Sequence, residues 1–186
     1  VILDMLQDSQ GFMWFATQDG LNRYDGYEFR VFKHDQTAFN SLSTDFINAL
    51  AEDQNGYIWI GTNGHGLDRY DRTSGQFIHY QHNPADVNSL TDDIINDLLV
   101  DRNNTVWVGT ANGGLCRLDS GRFTCYTHDP ENSASLSHNN VQSLYEDDSG
   151  VLWVGTLDGG LNRFDRGREQ FTRYQTNPND PFSLSS

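Results

Sequence analysis

The stretch "EDDSGVLWVGTLDGGLNRFD" at residues 146–165 is one of four copies. "QDSQGFMWFATQDGLNRYD" starts at Gln7, "EDQNGYIWIGTNGHGLDRYD" at Glu52 and "VDRNNTVWVGTANGGLCRLD" at Val100. A chain that repeats one unit at a fixed step is built of copies of one supersecondary element, and no copy can bury its apolar surface alone. The copies are anchored by Trp14, Trp59, Trp107 and Trp153, at steps of 45, 48 and 46 residues. Ser-Leu pairs at Ser41, Ser89, Ser135 and Ser183 keep nearly the same step. Length differences fall between the conserved stretches: the segment after Thr17 is one residue shorter than those after Thr62, Thr110 and Thr156, and those after Asp71 and Asp165 are two longer than those after Asp25 and Asp119. Changes confined to such places mark them as loops.

Each unit reads as four short strands. In the second they are "FINALAED", "YIWIGT", "GLDRYD" and "QFIHYQH", rich in β-branched and aromatic residues and bounded by Asp, Asn or Gly turns. Apolar residues do not recur at helical spacing over any long window. Alternation along the strands is imperfect, with Leu67 and Tyr70 on opposite faces, as expected when both faces of a small sheet are covered. Four-stranded units of this size, packed on both faces, describe blades of a β-propeller. The expected fold is therefore all-β, four four-stranded blades at about residues 1–44, 45–92, 93–139 and 140–186. They would form part of a seven-bladed ring or half of an eight-bladed one.

Charge narrows the partners. The formal net charge is −14 and Lys33 is the only lysine, which argues against duplex DNA and anionic membranes as partners. No run of 18 apolar residues is present to span a bilayer. The chain opens directly in the apolar "VILDML" and reads as a piece of a longer protein.

The Glu/Asp-turn, Trp-Val/Ile-Gly-Thr, Gly-rich-loop and Arg-x-Asp pattern, followed by aromatics and "SLS", resembles the two-component regulator propeller repeat in all four copies. The first copy departs with Ala16 in place of Gly61, Gly109 and Gly155, and the third has Asn104 at the turn glycine. The resemblance implies an extracytoplasmic sensor region of a hybrid histidine kinase or diguanylate cyclase. In that family the repeats fill seven-bladed propellers ahead of a β-sandwich, a membrane span and an output domain. It carries over no shared catalytic or ligand motif.

Several constellations have a structural reading beside a functional one. Arg23, Arg69, Arg117 and Arg163 recur in every third strand and read as structural ion pairs with a carboxylate such as Asp53 or Asp147. The Asp-rich turns lack the further oxygens and closing Glu of a calcium loop and read as hairpin turns. The loops "NGHG", "ANGG" and "LDGG" precede strands rather than helices, so they are connections rather than phosphate cradles. His34, His82 and His128 recur at one repeat position and serve the blade rather than a metal. No cofactor or metal is expected. Aligning the third and fourth strands of the third unit places Cys116 opposite Cys125, within disulfide reach. The alternatives are a structural disulfide, suited to an oxidising compartment, and two unrelated buried thiols.

Residues shared by all repeats build the scaffold, and function is sought where they differ. On the end of the blades that carries the Gly-rich and inter-blade loops, the differing residues are Gln18, Asp19, Asn63, His65, Asn112 and Asp158, joined by Asp45, Asp92, Asp93 and His138. These are the candidate ligand-binding residues, suited to a carbohydrate or similar polar signal. The leading reading is a non-catalytic, periplasmic ligand-sensing module of a transmembrane receptor. The alternatives are a protein-interaction platform and, behind it, a lyase or glycosidase propeller. Four blades of a seven-bladed ring, stepped by about 51°, cover about 206° and cannot close; steps of about 45° would let two copies close head to tail as a homodimer.

Overall fold

The computed structural model describes residues 1–185; the last residue of the fourth repeat, 186, lies outside them. Its sixteen strands form four antiparallel sheets of four, each in simple sequence order. Blade one holds β1 (Ile2–Gln7), β2 (Met13–Thr17), β3 (Gly20–Tyr24) and β4 (Phe29–Phe32). Blade two holds β5 (Ile47–Glu52), β6 (Ile58–Thr62), β7 (Leu67–Asp71) and β8 (Gln76–Tyr80). Blade three holds β9 (Ile95–Val100), β10 (Val106–Thr110), β11 (Leu115–Asp119) and β12 (Arg122–Tyr126). Blade four holds β13 (Val141–Glu146), β14 (Leu152–Thr156), β15 (Gly160–Asp165) and β16 (Gln170–Tyr174). Among the described residues there is no helix.

The first strands, β1, β5, β9 and β13, pack side by side along the array, so they line its axis and the fourth strands form the rim. Backbone-directed bonds tie these inner strands together. Asp4 accepts from the Leu50 amide at 2.7 Å, Asn48 donates to the Ile95 carbonyl at 2.8 Å, Asn96 donates to the Val141 carbonyl at 2.8 Å, and Asp97 accepts from the Leu144 amide at 2.7 Å. Burial holds the Asp97 carboxyl above the ordinary range against the amides of Leu144 and Leu98, and Asp4 adds to the rise.

The repeated Trp is locked by the Asp six residues before it. Its indole donates to Asp8, Asp53, Asp101 and Asp147 at 2.7, 3.0, 2.8 and 2.8 Å. The other oxygen of each Asp accepts two amides of its own turn, as Asp101 does from Asn103 and Thr105 at 2.9 Å. One side chain thus shapes the hairpin and seats the tryptophan. That turn needs a left-handed residue at its fourth position: Gly11, Gly56 and Gly150 sit at φ of 90°, 80° and 83°, and Asn104 takes 64° in the third blade. The Gly-rich loops have a packing reason as well. A Cβ on Gly20, Gly66, Gly114 or Gly160 would collide with the carbonyl of Phe32, Tyr80, Tyr126 or Tyr174 on the rim strand.

Three apolar layers sit between the blades. The first centres on Trp14, Phe32, Leu42, Ile47 and Tyr70, the second on Trp59, Leu90, Ile95, Leu118 and Phe123, and the third on Trp107, Leu136, Val141, Phe164 and Phe171. The Leu of each Ser-Leu pair therefore plugs the layer ahead of it. Trp14, Trp59 and Trp107 are buried, whereas Trp153 is half-buried because no blade covers it. The two end surfaces are correspondingly apolar and open: Ile2, Phe29 and Val31 on the first blade, Tyr145, Tyr174 and Leu184 on the fourth.

The third-strand arginines correct the expectation of ion pairs to Asp53 or Asp147: neither carboxylate meets one, and each accepts a Trp indole and two turn amides. Arg23 lies over the Phe12 ring at 4.4 Å and Arg69 over the Tyr57 ring at 4.3 Å, as cation–π contacts. Thr105 stands at that position in blade three, and Arg117 reaches Glu169 instead, at 3.2 Å. Among the described residues Arg163 makes no ion pair. The carboxylates find their arginines elsewhere. Arg72 reaches Asp8 at 2.6 Å and Glu52 at 2.7 Å, and Arg166 reaches Asp101 at 2.6 Å and Glu146 at 3.1 Å. Both arginines come from the two longer third-to-fourth-strand loops, so this clamp joins blades one to two and three to four but not two to three.

Cys116 and Cys125 are register partners on β11 and β12, with Cα atoms 4.0 Å apart, and are joined in a disulfide. Unreduced tryptic digestion is expected to leave their two peptides linked, because Arg117 and Arg122 lie between them. Opening the bond by Cys→Ser substitution should cost about 2 to 3 kcal/mol in urea unfolding.

Candidate functional site

The ten candidate ligand residues lie at one end of the blades. The second-to-third-strand loops carry Gln18, Asp19, Asn63, His65, Asn112 and Asp158, and the segments entering the inner strands carry Asp45, Asp92, Asp93 and His138. Backbone bonds interlock the two sets. Gly20 donates to Asp45 O at 2.7 Å, Asn63 to Phe46 O at 3.0 Å, Gly64 and Gly66 to Asp93 O at 3.1 and 2.8 Å, and Leu157 to Asn140 O at 2.9 Å. The result is one continuous loop surface crossing all four blades.

The residues on it are not equally free. Asp45 and Asp93 accept the backbone amides of His34 and His82, each at 2.7 Å, so both hold the inter-blade loop in shape. Asn139 does the same for His128 at 2.6 Å. The rings of those three histidines bond through Nδ1 to the carbonyls of Leu42, Leu90 and Leu136 at 2.6, 2.6 and 2.8 Å. Asp92 is taken by the amide and side chain of Asn112, at 2.7 and 3.1 Å, and Asp19 pairs with Lys33. Gln18, Asn63, His65, Asp158 and His138 present exposed side chains to solvent.

His65 marks a feature the sequence did not single out. A cavity of about 280 Å³ opens between the loop 34–43 of blade one and the rim of blade two, lined by His34, Asp35, Phe39, His65, His79 and Gln81 among others. Behind its lining residues Ser43 and His79, Asp68 is fully buried. One of its oxygens accepts the amide and hydroxyl of Ser43 at 2.8 and 2.9 Å, and the other lies 2.6 Å from Nδ1 of His79. The hydrogen bond from His79 to Asp68 raises the imidazole above its ordinary value of 6.5, burial opposing it and the Asp68 charge adding to it. A histidine raised in the folded state stabilises it fully below the unfolded value of 6.5, and that stability is lost as pH rises through the folded value. An NMR titration should therefore show His79 titrating above 6.5 and falling back toward it in Asp68→Asn. The Ser43, Asp68 and His79 groups do not form a hydrolytic relay, because Ser43 bonds to the carboxylate and not to the second ring nitrogen.

The pair at Asp68 and His79 sits where the other blades carry Asn22 and Val31, Cys116 and Cys125, and Asn162 and Arg173. This is the most divergent cross-strand pair of the repeat. Its signal was visible in the strand alignment, but the alignment alone does not show that loop 34–43 folds over it.

The "Two component regulator propeller" family model matches residues 1–19, 41–64, 89–112 and 135–158, one segment in each blade. The histidine kinase P4 of Formosa agariphila is 36% identical over 42 residues, which is 23% of this chain and 3% of that protein. The extracellular domain of a protein described as a hybrid two-component system of B. thetaiotaomicron superposes with a TM-score of 0.67 at 28% identity, over 92% of this chain and 29% of that one. The virginiamycin B lyase of Staphylococcus aureus shares the fold, with a TM-score of 0.69 at 16% identity over 94% of this chain and 56% of that one. The chain thus spans less than a third of the sensor proteins it resembles, and no helix among the described residues is long and apolar enough to cross a membrane. With a matching segment in every blade and an extracellular two-component domain as a structural counterpart, the chain belongs to the two-component regulator propeller family.

Proposed function

We propose that the chain is a non-catalytic, ligand-sensing part of the periplasmic region of a transmembrane signalling receptor, with a histidine kinase or cyclase as its output. The observation that carries this reading is the loop surface. Backbone bonds and carboxylates such as Asp45 and Asp93 make it rigid, and Gln18, Asn63, His65, Asp158 and His138, which differ between blades, are exposed on it. A rigid, polar, multi-loop surface suits a polyhydroxylated ligand such as an oligosaccharide. The protein-interaction and lyase or glycosidase readings remain its rivals. The test is a panel of polysaccharides and their oligosaccharide fragments, assayed in parallel by thermal shift and by release of new chain ends. The reading expects at least one fragment to raise the melting temperature and none to be cut. Cleavage, or binding of protein partners alone, would favour a rival.

In isolation, we propose that a second copy covers the open end surfaces. Interfaces one-to-two and three-to-four share the arginine clamp, while two-to-three lacks it, so the blades alternate in pairs. The surface ending blade four carries Trp153, Tyr174 and Leu184, the counterparts of Trp59, Tyr80 and Leu90. The surface opening blade one carries Phe29, the counterpart of Phe123. Head-to-tail closure would thus repeat the two-to-three contact. Light scattering after size exclusion should give twice the chain mass of 21.1 kDa, and a stable monomer would refute closure.

A further inference from the structure

The inter-blade loop closes over the same point of the following blade three times, and a different residue stands beneath it each time. In blade four the filler is Arg173. Its guanidinium donates from Nε to Ser135 O at 2.8 Å, and from Nη2 to Asn132 O at 2.8 Å, Ser135 Oγ at 2.6 Å and Leu136 O at 3.2 Å. In blade three the filler is the disulfide, with Cys125 Sγ 3.9 Å from Ser89 O. In blade two the equivalent residue is His79, which is shorter and turned onto Asp68.

The loop itself is the same in each case. Asp35 donates its amide to Ser41 Oγ at 3.0 Å, as Asp129 does to Ser135 at 2.8 Å, and Ala38 donates to Asp35 O at 3.1 Å, as Asn132 does to Asp129 at 3.2 Å. Ser43 is anchored on Asp68 as Ser137 is on Asn162. The oxygens that hold a guanidinium in blade four are therefore shaped in blade two as well. There, their residues Ala38, Ser41 and Leu42 line the 280 Å³ cavity. Asp68, at the position of Asn162, holds the His79 ring at 2.6 Å, and that ring lines the cavity. Carbonyl oxygens in a fixed fan suit a planar cation with several N–H donors.

We propose that the cavity beneath loop 34–43 is a binding site for a guanidinium group supplied in trans, by a small guanidino compound or an arginine side chain. Of the ten candidate residues only His65 lines this site, so its failure would leave the sensing role of the loop surface untouched.

Methylguanidine is the first probe, followed by amide NMR shifts and thermal shift on the whole chain. Shifts are expected in loop 34–43 and at His79, with urea, neutral and of similar shape, giving none at equal concentration. The double variant Asp68→Asn/His79→Arg copies blade four and supplies its own guanidinium, and should weaken the probe by about tenfold or more. Arg173→Ala empties the cage in blade four and should gain a second set of shifts in residues 128–137, so the test does not depend on the double variant folding. N-acetylarginine amide and a peptide with an internal arginine then separate a free ligand from a protein side chain. Absence of shifts in loop 34–43, equal binding of urea, or full binding by a folded double variant would each overturn the proposal.

Discussion

Trp107→Ala should cost about 3 to 5 kcal/mol, measured as the change in unfolding free energy in urea. The indole is fully buried between blades three and four, against Tyr126 and Phe164 with ring centroids 6.4 and 5.4 Å away. Truncation leaves a cavity between two rigid sheets that cannot collapse onto it, because Asp101 and its turn hold the strand ends in place. It also removes one of the two donors to an Asp101 oxygen, at 2.8 Å, leaving that oxygen to Arg166 alone. Trp153→Ala, at the half-buried equivalent on the open end, should cost clearly less. Equal costs would mean that the Trp stabilises its own blade rather than the contact between blades.

Asp101→Ala should be nearly as damaging, at about 3 to 5 kcal/mol, because it breaks a buried charge pair and orphans several donors at once. Two turn amides, the Trp107 indole and Arg166 converge on this carboxylate, which is 2% exposed. Burial pushes the Asp101 carboxyl up, but the indole, the Thr105 amide and Arg166 outweigh it and hold it below 3.8. A carboxyl lowered in the folded state contributes stability in full above the unfolded value, and that contribution is lost as pH falls through the folded value. Asp101→Asn should therefore flatten the loss of stability below about pH 3.8. Asp53→Ala should cost less than Asp101→Ala, since no arginine clamps Asp53. Urea midpoints for the three variants, taken at neutral pH and again in acid, check both statements.

The blade was legible because its information is local and repeated. Trp spacing placed the strands, and strand alignment placed Cys116 opposite Cys125. The arginine assignment held for Arg117 alone, and with Glu169 rather than a turn Asp, while Arg23 and Arg69 rest on the rings of Phe12 and Tyr57. The clamp from Arg72 and Arg166 was hidden because it joins neighbouring blades. Its trace in the sequence is the two-residue extension of those loops. The loop surface could be placed from repeat differences, but which of its carboxylates are free could not. Asp45 and Asp93 occupy one repeat position and accept the amides of His34 and His82, while Asp92, which differs from Thr44 and His138, is taken by Asn112. The Asp68 and His79 cavity needed the fold, because loop 34–43 and β8 meet only when the two blades pack.

The most direct measurement of the sensing role is hydrogen exchange with an oligosaccharide that raises the melting temperature. The account predicts slower exchange in residues 17–20, 62–66, 110–114 and 156–160 and in the adjoining entry segments, with the oligosaccharide recovered uncut. Protection confined to the opposite turns at 8–11, 53–56, 101–104 and 147–150, or recovery of cleaved sugar, would contradict it.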